Sequence, residues 1–65
     1  MQIKTWEART GAGLTLLRLA EMTGISKTTL DNIENGKIMP RIDQLEAVAA
    51  ATGKRITDLF ESIYK

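Results

Sequence analysis

LLRLAEMTGISKTTLDNIEN, residues 16–35, is the stretch whose reading decides how this chain folds. Leu16, Leu19, Ala20 and Thr23 recur at i, i+3, i+4 and i+7, which lines up one face of a helix. Gly24 interrupts that pattern; Ile25 introduces a second stripe that Leu30 and Ile33 continue. Two short helices that cross closely need a small residue at the contact, and Ala20 is placed to supply it. The turn between them needs a residue free to take a positive φ, and Gly24 stands there. Ile25 can then plug the space between the helices, with Leu19, Leu30 and Ile33 closing the seam. Thr15 and Ser26 suit the N-cap positions, because a hydroxyl there accepts from an amide that the first helical turn leaves without a partner. Asn35-Gly36 marks the end of the second helix, since both residues tolerate the left-handed conformation of a helix stop.

Outward from this stretch the punctuation continues, with Gly11 and Gly13 before it and Pro40 and Gly53 after it. Ile42, Leu45, Val48, Ala49 and Thr52 form a further helical stripe, and Ile56, Leu59, Phe60 and Ile63 a last one. Asp43 and Asp58 fall in the first turns of these two helices, where the macrodipole favours negative charge. A first helix is expected over about residues 3–10. No segment alternates with period two for long enough to be a strand. The expectation is a single all-α domain over residues 1–65, built of five short helices.

Composition narrows the chemistry. The 65 residues contain no cysteine and no histidine, which excludes disulfides and thiol chemistry and removes the commonest metal ligand and general base. No pair of carboxylates or lysines has a recognisable catalytic spacing, so an enzyme is the least favoured class, and no metal or cofactor is expected. No apolar run approaches a membrane span, and the N-terminus lacks the apolar core of a secretory signal, which points to the cytoplasm. Net charge is only +1. Its distribution leans: Lys4, Arg9, Arg18, Lys27, Lys37 and Arg41 outnumber Glu7, Glu21, Asp31 and Glu34 before residue 42, whereas acidic residues prevail after it.

The relative spacing of Leu19, Ala20, Gly24, Ile25, Leu30 and Ile33 is that of a helix-turn-helix, a motif whose second helix enters the major groove of duplex DNA. An ordinary helical hairpin without a DNA partner satisfies the same packing pattern, since the spacing encodes geometry first. On the DNA reading, the outward residues of a helix over 27–34 are Lys27, Thr28, Asp31 and Asn32. Lysine suits guanine O6 and N7, a threonine methyl suits thymine, and asparagine pairs with an adenine edge. Asp31 either accepts from a cytosine amino group or pairs with Lys27 one turn back. Thr15 on one side, and Asn35, Lys37 and Arg41 on the other, are placed for phosphate contacts.

From Gly13 to Phe60 the chain resembles the XRE-type regulators related to phage Cro and the lambda-like repressors. The resemblance is carried by LAEMTGIS, by IENGK followed by Pro40, and by ITDLF. It implies a compact five-helix lambda-repressor-like domain that binds operator DNA, usually as a homodimer, and regulates transcription. It also implies an ion pair between Arg9 and Glu34 that joins the first helix to the end of the recognition helix. The chain departs from the family at Leu16, where a phosphate-gripping glutamine is usual. It departs again at Thr5 and Ala8, where leucines are usual, with Trp6 expected to compensate by packing into the core. Thr52 and Lys54 replace apolar residues near the last helix, whose Ile63 and Tyr64 are a candidate dimer surface. The alternative is an antitoxin-like or cofactor-recruiting interaction module whose DNA surface is lost; the charge around Lys27, Lys37 and Arg41 discriminates between the two.

Overall fold

Two hydroxyls start the central pair of helices in the computed structural model, which describes residues 1–65. Thr15 Oγ1 accepts from the Arg18 amide at 3.0 Å, and Ser26 Oγ accepts from the Thr29 amide at 3.1 Å. Helix α1 (Thr5–Gly11) precedes them; α2 (Leu16–Thr23) and α3 (Lys27–Glu34) are the capped pair, and α4 (Ile42–Thr52) follows. Gly24 ends α2 at φ +74°, its amide donating to the Ala20 carbonyl at 2.9 Å. A Cβ at this position would meet nothing within 4 Å. Glycine is therefore needed there for its backbone, not for space.

The seam of the pair is dry. Leu19, Leu30 and Ile33 are buried, and Leu45 and Val48 of α4, Ala8 of α1 and Leu59 are buried with them. Ala20 and Ile25 pack half-buried against this core. Full burial of each leucine or isoleucine contributes about 1.5–3 kcal/mol, so these few side chains carry most of what holds so small a domain together. No helix is long and apolar enough to cross a membrane.

The two ends of the chain correct the five-helix expectation. Four α-helices form, and Ile56–Asp58 makes only a single 3-10 turn. Asp58 closes that turn early by accepting from the Arg55 amide at 3.0 Å. Leu59 then drops into the core, and the backbone straightens into β2 (Phe60–Glu61), which pairs antiparallel with β1 (Gln2–Ile3). The Ile56/Leu59 spacing that reads as a helix is equally the spacing of one turn leading into a buried leucine. Ile63 consequently lies outside any helix and is 91% exposed. Pairing of β1 also trims the first helix, because residues 2–3 are strand and the Lys4 amide donates to the Leu59 carbonyl at 2.7 Å.

Trp6 is not in the core. It is 53% exposed, whereas its neighbour Thr5 is 2% exposed and occupies the interior position. Residues 5 and 8 share the inward side of α1, three apart, so Trp6 is carried to the outer side whatever its hydrophobicity. Thr5 Oγ1 is buried with no hydrogen-bond partner, a cost of about 1–3 kcal/mol for an unsatisfied hydroxyl. Thr5→Val, which keeps the shape and removes the hydroxyl, is expected to raise the free energy of unfolding by about 1 kcal/mol or more. Urea denaturation of the two chains measures it; equal or lower stability of Thr5→Val contradicts this account of the site.

Candidate nucleic-acid interface

Burial of Leu30 and Ile33 fixes which way α3 faces. With these two against the core, Lys27 and Thr28 stand exposed in the first turn, and Asp31 and Asn32 follow one turn later, half-buried. Thr29, at the edge of this face, is half-buried and its hydroxyl accepts from Ser26 Oγ at 2.8 Å. Four polar side chains thus share one side of a helix of eight residues.

Asp31 does not pair with Lys27. Asn35, one turn further on, donates from Nδ2 to the Asp31 carbonyl at 2.9 Å and to Asp31 Oδ1 at 3.2 Å. The short amide is already positioned by closing the C-terminal turn, so it reaches the carboxylate without ordering a long lysine stem. Lys27 is left extending freely from the first turn, the end of α3 furthest from that bond. The next carbonyls are capped from the loop, with the Lys37 amide donating to the Asn32 carbonyl at 2.9 Å.

The flanking residues differ in how free they are. Thr15 is exposed, but its hydroxyl oxygen serves as the α2 cap. Lys37 is exposed beyond the end of α3. Arg41 is exposed and leans on Asp43, with Nε to Oδ1 at 3.0 Å. That hydrogen bond, seconded by the charge of Arg41 and the Gln44 amide, holds the Asp43 carboxyl below the usual carboxylate range. At such exposure the pair is easily exchanged for another anion. Leu16 turns half-buried toward the core, whereas Leu17 is exposed on the first turn of α2. The C-terminal tail is tied down elsewhere: Lys65 Nζ donates to the Phe60 carbonyl at 3.0 Å and to Glu61 at 2.9 Å.

Arg9 and Glu34 hold α3 in its pose. Arg9 Nε and Nη2 donate to the two carboxylate oxygens of Glu34 at 2.6 and 3.1 Å, a bidentate fork with side chains only 13% and 6% exposed. The hydrogen bond to Glu34 raises the Arg9 pKa above its ordinary value. Arg9 Nη1 also donates to the Leu14 carbonyl at 2.9 Å. One guanidinium therefore joins α1, the segment that leads into α2, and the end of α3. The contacts to Leu14 and between Asn35 and Asp31 carry no signal in the sequence, because each depends on where a loop brings a backbone oxygen.

A family model described as helix-turn-helix matches residues 7–59, from the first turns of α1 to the buried Leu59. No curated protein matches the chain.

Glu34→Ala leaves Arg9 charged, half of its fork empty and little water to replace it, and is expected to cost about 3–5 kcal/mol. Adding Arg9→Ala to it is expected to cost less than the two single changes summed, because the stranded charge is gone. Thermal and urea unfolding of the three variants reads the cycle; additive losses would show that the two side chains do not act as a pair.

Proposed function

Because the chain belongs to the XRE-type helix-turn-helix family of DNA-binding domains, we propose that it is a sequence-specific regulator that lays α3 in the major groove of duplex DNA. The observation that carries this reading is the shared outward face of Lys27, Thr28, Asp31 and Asn32, set by burial of Leu30 and Ile33 behind it. Lys27 and Thr28 lie in the turn that enters a groove first, and Asn32 follows one turn behind Thr28. Lys27 donates to guanine O6 and N7, the Thr28 methyl meets thymine C5-methyl, and Asn32 pairs with adenine N6 and N7. Asp31 accepts from a cytosine amino group; its bond to Asn35 keeps the carboxylate on that side.

Thr15, Asn35, Lys37 and Arg41 bracket α3 and contact phosphates, which sets register without reading sequence. Arg41 exchanges Asp43 for phosphate at little cost, since the pair is solvent-exposed. A single short helix reads only a few base pairs. Two copies about a two-fold axis, with recognition helices about 34 Å apart, read a pseudo-palindromic operator.

The interaction-module alternative draws on Leu17, an apolar side chain exposed at the first turn of α2, on the side where phosphate contacts would be made. Selection of bound sites from a random duplex library separates the two readings: a recovered motif with paired half-sites supports the regulator, and failure to enrich any motif sinks it. Lys27→Ala is expected to change the recovered sequence preference at one or two positions. Lys37→Ala is expected to weaken specific and random duplexes alike and to lower the salt slope by about one. Equal losses from both variants on both kinds of DNA would refute that division of roles.

A further inference from the structure

Asp31 is a carboxylate in a place that disfavours one. It sits in the last turn of α3, where the helix dipole repels negative charge, on the face proposed to meet a polyanion. Two groups of the chain offset this. Arg9 lies close enough for the charge of Asp31 to act on its guanidinium. Asn35 Nδ2 donates to Asp31 Oδ1 at 3.2 Å, which leaves Oδ2 without a hydrogen-bond partner in the chain.

The side chain of Asn35 is not what closes the helix. The carbonyls of Asp31, Asn32 and Ile33 already accept from the main-chain amides of Asn35, Lys37 and Gly36, at 3.0, 2.9 and 3.2 Å. Asn35 has φ −89° and ψ 4°, a turn conformation open to most residues, alanine included. What its side chain adds is a hold on Asp31. Nδ2 carries two hydrogens, and both of its acceptors belong to that one residue. The Asp31 carbonyl, at 2.9 Å, anchors the amide, and the anchored amide orients the carboxylate.

We propose that Asn35, beyond the phosphate contact given to it above, is a positioning residue for base recognition. It fixes Asp31 Oδ1 so that Oδ2 is presented to the amino group of a cytosine. The proposal rests on the regulator reading and names the residue that gives one of its base contacts a direction. An ionised carboxylate only accepts, so cytosine N4 satisfies it. Thymine O4 and guanine O6 and N7 set acceptor against acceptor, and adenine brings the acceptor N7 beside its amino group. A carboxylate free to rotate turns both oxygens to water and loses this discrimination. Held by Asn35, it keeps it.

The test uses duplexes with each of the four base pairs at every position of the motif recovered by selection. They are titrated with the full chain, with Asp31→Ala, with Asn35→Ala and with the double variant. Asp31→Ala identifies the position: a cytosine preference of about fivefold or more is expected to vanish at one base pair. Asn35→Ala is expected to reduce the preference at that same pair to about twofold or less. The preference at the pair sensitive to Lys27→Ala is expected to stay intact. The double variant is expected to lose no more specificity than Asp31→Ala alone, because the two act as one unit. An unchanged preference in Asn35→Ala, or a loss of affinity spread evenly over all duplexes, overturns the positioning role. Circular dichroism of Asn35→Ala checks its premise: a chain that no longer folds shows that the main-chain amides do not suffice. A motif indifferent to Asp31→Ala overturns the role too, and leaves the regulator reading standing. If the unaltered chain enriches no motif, that reading falls and takes this role with it.

Discussion

A helix of eight residues has no stability of its own; isolated helices need about 12–15 residues even to be marginal in water. Helix α3 exists because Leu30 packs into the core with Leu19, and Ile33, three residues on, is buried as well. The same burial that keeps α3 folded fixes its rotation, and rotation decides which side chains face outward. Stability and orientation of the candidate reading face are thus one interaction, not two. Any change that loosens the Leu19–Leu30 seam acts on both.

Rotation alone does not fix where along its axis a helix sits, and the Arg9–Glu34 fork adds that constraint. It anchors the C-terminal end of α3 to α1, and through the Leu14 carbonyl to the entry of α2. A guanidinium satisfies both at once because its donors diverge in one plane; a lysine in its place could not hold the same two acceptors at fixed angles. The carboxylate–guanidinium pair is nearly dry, so its geometry is costly to disturb. The contacts of Asp43 and Glu61 are different in kind, being water-facing and replaceable. The molecule therefore has a rigid, nearly dry ion pair behind α3 and water-facing, exchangeable ones elsewhere on its surface.

The chain ends form a third element of the design. Two residues at each end pair as β1 and β2, and Lys65 clasps the tail over Phe60, with Nζ 5.4 Å from the ring centroid. Closing the ends in this way seats Leu59 fully in the core, but it also leaves Met1, Ile63 and Tyr64 exposed. The domain closes its core and leaves an apolar edge by the same step.

The central pair of helices was legible in the residues themselves. Caps at Thr15 and Ser26, the stop at Gly24 and the stripes through Leu19, Leu30 and Ile33 are local requirements, satisfied within a few residues of where they occur. The outward face of Lys27, Thr28, Asp31 and Asn32 follows from the same periodicity. What the residues could not disclose lies at longer range. Ile56 and Leu59 carry a helical spacing, yet β1 arrives from the other end of the chain and draws Phe60 and Glu61 into a strand. Trp6 is the most hydrophobic-looking residue of α1, yet the packing of Ala8 rotates Thr5 inward and Trp6 out. Asp31 has Lys27 at helical distance, yet Asn35 takes it because the loop after α3 turns back. In each case the competing partner is remote or set by a loop, and the free energy of a non-local contact exceeds a local preference worth only tenths of a kilocalorie. Sequence alone thus determined the wedge and the face it presents; the tertiary structure decided how the ends close and which polar partners are left unengaged.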